Sequence, residues 1–324
     1  MTPTTLASLS VVIVSFESAP ELEACLTSLR MAVDEARLAL ELVVVDNAST
    51  DDSVAIVQAL APDAVIIVNE TNVGFARAVN AGLERTTGEL ILLLNPDTVV
   101  NGPAIRACAQ RLKEPAVGVV APMLRNADGS RQRSWHEFPT CWRAFLDIFP
   151  PLAFIRIARR RILNAPHSPE WVIGAFMMSR PDVFAMVGSL DERSFMYTED
   201  MDWCYRARRA GFRIELLRDV EVIHLGGRSA GRHYGSIERE LAAERATLDW
   251  MNGSRAYAAL RWVAAVQAHL AVSLIATLLP KSRVRLRRPL ERRAAARATY
   301  ASALRRSRPE RSAGAPPDRP RLQS

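Results

Sequence analysis

Five short, almost uninterrupted apolar runs occupy the first 120 residues: Leu9 to Phe16, Leu42 to Val45, Ala64 to Val68, Leu90 to Leu94 and Val117 to Ala121. Between them, residues 20–33, 52–60, 75–86 and 103–113 carry the apolar spacing of helices. Strands that are apolar on both faces and joined through helices belong to a parallel sheet covered on both sides, so the chain is read as α/β. Ligands of such sheets sit beyond the carboxyl ends of the strands. Those ends read Ser15-Phe16-Glu17, Asp46-Asn47-Ala48-Ser49, Asn69-Glu70-Thr71-Asn72 and Asn95-Pro96-Asp97, and each carries polar groups.

The 324 residues are 49% apolar and 24% charged, as in a folded protein. The net charge of +7 is uneven: residues 281–324 hold 14 basic and 3 acidic side chains, which leaves residues 1–280 at −4. An acidic body argues against a nucleic-acid partner. Cys25, Cys108, Cys141 and Cys204 form no C-x-x-C pair and have no His at ligand spacing, so they read as core thiols rather than a zinc or redox site. Met1 to Ser10 lack the basic start and apolar run of a secretory signal, and the expected location is the cytoplasm.

From 122 to 170 the pattern is irregular, with Trp, Phe and Pro among Arg, and reads as a lid or substrate-specific insertion. A strand over Trp171 to Met178, a helix over 181–187, a turn at Gly188 and helices over Glu199 to Gly211 and 236–251 follow. Val263 to Leu279 is apolar apart from Gln267, His269 and Ser273. At seventeen residues it is at the lower limit for crossing a bilayer, and beside the basic tail it reads as an interfacial helix; packing on the catalytic body is the alternative. After 309, Pro, Arg, Ser and Gly predict disorder.

Five segments carry chemistry. Asp46 ends a buried strand, where it can accept from a nucleobase imide or a ribose hydroxyl, while Ser49 to Asp52 cap the next helix. Asn72-Val73-Gly74-Phe75-Ala76-Arg77 opens a helix whose N–H groups can meet a phosphate. A cation in a first turn opposes the helix dipole, so Arg77 is read as reaching a diphosphate rather than as a solvated side chain. Asn95-Pro96-Asp97 holds one carboxylate at the sheet edge, and a divalent cation bridging a diphosphate needs only one or two protein carboxylates. Glu199, Asp200 and Asp202 crowd a helix start, giving a base and supporting groups; Asp202 with Arg206 is also an ordinary i,i+4 pair. His224, before Gly226-Gly227, is read as a metal ligand or a structural residue.

Taken together, Asp46, the N-x-G-F-A-x-x-x-N of Asn72 to Asn80, the L-L-N-P-D of Leu93 to Asp97, Gly174-Ala175-Phe176, the E-D-x-D-x-x-x-R of Glu199 to Arg206 and His224-Leu225-Gly226-Gly227 resemble family 2 glycosyltransferases of the GT-A fold. Within them the set is most similar to the bacterial rhamnosyltransferase-like branch, over about residues 8–230. The resemblance implies a Rossmann-like, mostly parallel sheet with helices on both faces and a C-terminal helical extension. It implies a catalytic domain over 1–235, with a nucleotide-sugar half at 8–121 and an acceptor half at 122–235. Helices at 236–280, at a membrane surface, and a basic, largely disordered tail at 281–324 complete the expected organisation.

The same resemblance implies inverting transfer from a nucleotide-diphosphate sugar, with dTDP-rhamnose the first choice and Mg2+ or Mn2+ as cofactor. The acceptor would be a cell-envelope glycan or lipid-linked molecule at the inner leaflet of the membrane. Carried over by position, Ser15, Glu17 and Asp46 would hold the nucleoside, and Asn72, Gly74 and Arg77 the ribose or diphosphate. Asp97 would be the last Asp of a D-x-D metal motif, with His224 as second ligand, Asp200 the base and Glu199 its neighbour. Asn95 departs from the family pattern, because it puts a neutral amide at the first D-x-D position. Two other readings are a nucleotidyl- or sugar-phosphate-handling enzyme, which has no use for the Glu199 to Asp202 cluster, and a nucleotide-sugar-binding or membrane-assembly module without transfer activity.

Overall fold

The computed structural model describes residues 7–149, 167–193, 195–225, 236–251, 253–278 and 283–305. Strands β1 (Ser8–Ser15), β2 (Ala39–Asp46), β3 (Val65–Val68) and β4 (Leu90–Leu94) alternate with helices α1 (Ala19–Ala36), α2 (Ser53–Leu60) and α3 (Phe75–Leu83). Next come β5 (Thr98–Val99), α4 (Gly102–Arg111), β6 (Val117–Arg125), β7 (Trp135–His136) and the short α5 (Cys141–Leu146). They are followed by β8 (Trp171–Val172), β9 (Phe176–Ser179), α6 (Pro181–Val187), α7 (Glu199–Arg209) and β10 (Arg213–His224). Helices α8 (Ser236–Trp250), α9 (Arg255–Leu278) and α10 (Arg283–Arg305) end the described chain.

Eight strands form one sheet in the order β3-β2-β1-β4-β9-β6-β10-β5. Only β9 and β5 run against their neighbours, so six strands share one direction. The strand alternation divides the core between the two faces of the sheet. Leu9, Val11 and Ile13 of β1 pack with Leu22, Leu26 and Leu29 of α1 and Ile105 of α4. Val12 and Val14 point the other way, to Ala78 and Val79 of α3 and Trp203 and Ala207 of α7. A one-residue slip of β1 would exchange these two sets, which is why the register Ser15↔Asp46 is strongly specified. With Ile13 paired to Leu94, the ends of β1, β2 and β4 meet at one sheet edge.

The Trp171 to Met178 run, expected as one strand, is two strands separated by Ile173 to Ala175. Apolar composition cannot announce this break, because it is made by tertiary hydrogen bonds to the residues between, described below. β7 and β8 form a small two-stranded sheet of their own, with His136 stacked on Trp171 at 4.4 Å.

The chain divides into two compact units, residues 1–138 with 165–233 and residues 139–164 with 234–324, as far as these are described. In the second unit Ala144 of α5, Leu248 of α8, Tyr257 and Ala258 of α9 and Tyr300 of α10 share a core. Arg261 of α9 ties the same four helices, donating to Tyr300 Oη (3.1 Å), Asp147 Oδ2 (3.3 Å) and Glu244 Oε1 (3.4 Å). These bonds explain why α5, which falls inside the expected acceptor half, groups with the C-terminal helices. The tail expected to be largely disordered from 281 is helical over Arg283–Arg305. Charge count hid its good helix formers, Ala294 to Ala296 among them, and the seat that Tyr300 takes in the core. Residues 306–324 lie outside the described ones. Among the described residues no helix is long and apolar enough to cross a membrane.

Candidate active site

At the end of β1 and β2 the polar loops lock onto each other. Asp46 is buried, and its carboxylate accepts from Ser49 N–H (2.8 Å) and Ser49 Oγ–H (2.6 Å). Glu17, at φ 51°, donates its N–H to Ser49 Oγ (2.9 Å), and its Oε1 accepts from Thr50 N–H (2.7 Å) and Thr50 Oγ–H (2.9 Å). Asp51 accepts from Ala19 N–H (3.0 Å) at the start of α1 and from Ser53 N–H (3.0 Å) at the start of α2, whereas Asp52, the N-cap residue of α2, makes no side-chain cap bond. Asp46, expected to accept from a nucleobase or ribose, also shapes the turn that follows it. Each carboxylate oxygen carries a further lone pair, so this bonding fixes the group without exhausting it. Ser15 Oγ, beside it in register, is buried and has no hydrogen-bond partner among the described residues.

Asn72 Oδ1 accepts from Gly74 N–H (3.1 Å), turning the chain into α3. Gly74 has φ +90°, and a Cβ there would lie 2.5 Å from Phe195 O, the atom that accepts from Phe75 N–H (3.0 Å). Only glycine satisfies both the conformation and the contact. Further along α3, Asn80 brackets the loop before α7, accepting from Leu190 N–H (2.9 Å) and donating to Leu190 O (2.9 Å) and Glu192 Oε1 (2.8 Å). Arg77, read as reaching a diphosphate, donates instead to Glu192 Oε2 at 3.3 Å. Both partners are exposed, so the pair holds Arg77 only weakly.

Asp97 and His224 meet. β10 pairs with β5 so that His224 opposes Thr98, and His224 Nε2 lies 3.2 Å from Asp97 Oδ1, both side chains being buried. His224 Nδ1 is 2.8 Å from Gln132 Oε1, and Asn95 Nδ2 is 3.4 Å from Nε2. An amide oxygen can only accept, so Nδ1 is assigned a proton, and Nε2 lies between Asn95 Nδ2–H and Asp97 Oδ1. With Nε2 unprotonated, a nitrogen and a carboxylate oxygen 3.2 Å apart would suit a divalent cation, whose neighbouring ligands at bonds of about 2.1 Å stand roughly this far apart. Among the described residues no three His, Cys, Asp or Glu side chains gather as a metal cluster, so phosphate oxygens and water would complete the shell. Asn95, the departure from the family pattern, here supports the histidine. Gly226 and Gly227 lie outside the described residues.

The acidic helix start lies at the same edge. Tyr197 (φ 72°) and Thr198 (φ 75°) enter α7 in the left-handed region, at a cost of about 1–3 kcal/mol each. This turn delivers Asp200, half-buried, so that its Oδ2 accepts from Gly174 N–H (3.0 Å) and its Oδ1 from Met201 N–H (2.7 Å). The next residue, Ala175, accepts at its carbonyl from Asn95 N–H (3.0 Å) and Thr98 Oγ–H (3.3 Å). Two consecutive residues therefore join the turn that holds Asp97 to the helix start that holds Asp200. Asp202 pairs with Arg206 (2.8 Å), which donates to Val187 O and Ser189 O, so this carboxylate holds the preceding turn.

Burial raises the pKa of both Glu199 and Asp200, Glu199 to about 8, with the neighbouring Asp200 charge as its second cause. The environments differ: Asp200 accepts two N–H bonds, whereas Glu199 Oε2 is buried with no hydrogen-bond partner among the described residues. Burial therefore favours the protonated form of Glu199, whereas at Asp200 the two N–H bonds oppose the effect of burial. A carboxyl whose folded pKa lies above its unfolded value stabilises the fold fully below the unfolded value, and that stability is lost as pH rises through the folded one. Stability should thus fall between about pH 4.5 and pH 8, by on the order of a few kcal/mol. Glu199→Gln should flatten this slope in thermal melts; an unchanged slope would show that Glu199 is not held neutral.

Gln132, Glu192 and Phe195 join the site without having been marked by the sequence. Gln132 sits in an irregular stretch, and only the fold brings it to His224.

Residues 10–183 match Glycosyl transferase family 2. The N-acetylglucosaminyl-diphospho-decaprenol L-rhamnosyltransferase of Mycobacterium tuberculosis is 28% identical over 242 residues, 69% of this chain and 78% of that protein. The low-salt glycan biosynthesis hexosyltransferase Agl10 of Haloferax volcanii is 26% identical over 226 residues, 68% of each chain. The mannosyltransferase PcManGT of Pyrobaculum calidifontis, solved with GDP-Man and Mn2+, superposes with a TM-score of 0.58 at 18% identity, over 93% of this chain and 88% of that one. That likeness bears on the fold, which is GT-A.

Proposed function

Because the chain belongs to glycosyl transferase family 2, we propose that it moves a sugar with inversion from a nucleotide-diphosphate donor to a hydroxyl of a cell-envelope glycan or lipid-linked acceptor. The donor in this reading is dTDP-rhamnose, supported by the mycobacterial relative, whose name specifies rhamnosyl transfer to a decaprenol-linked acceptor. The observation that supports it is the Gly174-Ala175 bridge, which ties the turn holding Asp97 to the helix start holding Asp200, the groups proposed as cation ligand and base.

Asp200 takes the proton of the acceptor hydroxyl as that oxygen bonds to the anomeric carbon and the bond to the donor diphosphate breaks. A single carboxylate base without a covalent intermediate gives one inversion. Asp97 and His224 would hold Mg2+ or Mn2+, with Gln132 orienting the imidazole through Nδ1, and Asn95 would give up its contact with Nε2 to the cation. When bound, the cation supplies charge neutralisation for the departing diphosphate. The interlocked Glu17 and Asp46 loops, with Ser15 Oγ, would face the nucleoside, and the start of α3 at Asn72 to Gly74 the ribose or phosphates. Arg77 would reach the diphosphate only by leaving Glu192.

The test is a donor panel of dTDP-rhamnose and UDP- and GDP-hexoses with a polyprenyl diphosphate-linked acceptor, read by mass spectrometry. Rhamnosyl product from dTDP-rhamnose is the expected outcome. Product from the UDP- or GDP-sugars alone would remove the donor assignment, and donor binding without product from any would remove the enzyme reading.

A further inference from the structure

Charge is divided between the two compact units. Residues 139–164 and 234–324 hold 23 Arg and Lys against 8 Asp and Glu, a net of +15. The rest of the chain holds 19 against 27, a net of −8. Among the described residues both exposed tryptophans, Trp142 and Trp262, belong to the basic unit. On and just after α5, Trp142, Phe145 and Phe149 are 63%, 39% and 43% exposed. Trp142 stacks on Phe145 at 5.6 Å and 20°, and Phe145 meets Phe149 edge-on at 5.0 Å, so the three rings form a continuous ridge in water. The other side of this segment is anchored, with Ala144 buried and Asp147 held by Arg261. The ridge cannot turn inward without breaking that pair.

We propose that the Trp142–Phe145–Phe149 ridge inserts into the headgroup layer of an anionic bilayer. This rests on the reading above that the acceptor is lipid-linked, and it identifies the surface that meets the lipid. Exposed aromatic rings on a unit with excess arginine fit the interface, where rings sit at headgroup depth and cations meet anionic lipid. Self-pairing of this ridge with the same ridge of a second copy is disfavoured because it would bring two units of net +15 together. Single-stranded nucleic acid is disfavoured because it stacks its bases on open ring faces, and here Trp142 and Phe145 already cover one face of each other.

The experiment sediments the full chain with phosphatidylcholine vesicles, with and without phosphatidylglycerol, in the absence of donor and acceptor. Wild type should partition to the anionic vesicles, less so at high salt. The variant Trp142→Ala/Phe145→Ala/Phe149→Ala should lose at least about tenfold in partitioning while keeping wild-type transfer to a short, water-soluble acceptor. Should that variant fail to fold, Trp142→Ala and Phe149→Ala alone should each lose about threefold. Anionic-vesicle binding unchanged in the variants overturns the proposal, as does a wild type that binds neither vesicle. Dissociation of a wild-type dimer by the triple variant, with vesicle binding intact, would assign the ridge to self-association instead. Because sedimentation needs no donor, its failure is separate from a failure of sugar transfer.

Discussion

Asp200→Asn should lower the single-turnover rate of transfer by about 10³-fold, within the 10²–10⁴ range of a positioned general base, and leave the affinity for nucleotide diphosphate unchanged. The asymmetry follows from position. Asp200 bonds to the loop at Gly174, while the groups proposed to hold donor and cation lie at the ends of β1, β2 and β4 and at His224. Asn can accept at only one atom, so one of the N–H groups of Gly174 and Met201 loses its partner, costing about 1–3 kcal/mol of stability. That loss is read separately, as a lower melting temperature. In wild type the rate should rise with pH through a limb above the ordinary aspartate range, because burial holds the Asp200 carboxyl up. The limb should vanish in the Asn variant. If turnover and its pH profile survive the substitution, another group takes the acceptor proton.

The first half of the fold was legible because a buried parallel sheet writes itself as near-continuous apolar runs. The run Leu90 to Leu94 matches β4 at its observed bounds. What stayed hidden depends on contacts remote in sequence. The break between β8 and β9 exists because Gly174 donates to Asp200 and Ala175 accepts from Asn95, and the apolar run alone reads as one strand. The pairing of β10 with β5, which brings His224 to Asp97, joins residues more than a hundred positions apart. Asp46 shows the opposite limit. Its residue type and place were evident, but its bonds to Ser49 depend on Ala48 taking φ 66°, which the sequence does not announce.

Asp97→Ala should abolish the dependence of nucleotide-diphosphate binding on Mn2+ and lower kcat/KM by about 10²–10³-fold, the scale of losing one preorganised electrostatic stabiliser. The readout is nucleotide affinity titrated with and without Mn2+, alongside free Mn2+ followed by electron paramagnetic resonance. Asp97 supplies the only anionic group of the pair, and a buried imidazole alone leaves a divalent ion poorly compensated. Gln132→Ala should act more mildly, by about 10–100-fold in metal affinity, because it frees the ring of His224 without removing a ligand. The two substitutions should not add: once Asp97 is gone, the orientation of His224 has little left to tune. Strictly additive losses would place Gln132 and Asp97 in separate functions. Mn2+-dependent binding that persists in Asp97→Ala would place the cation elsewhere along the sheet edge and leave the Asp97–His224 contact a structural one.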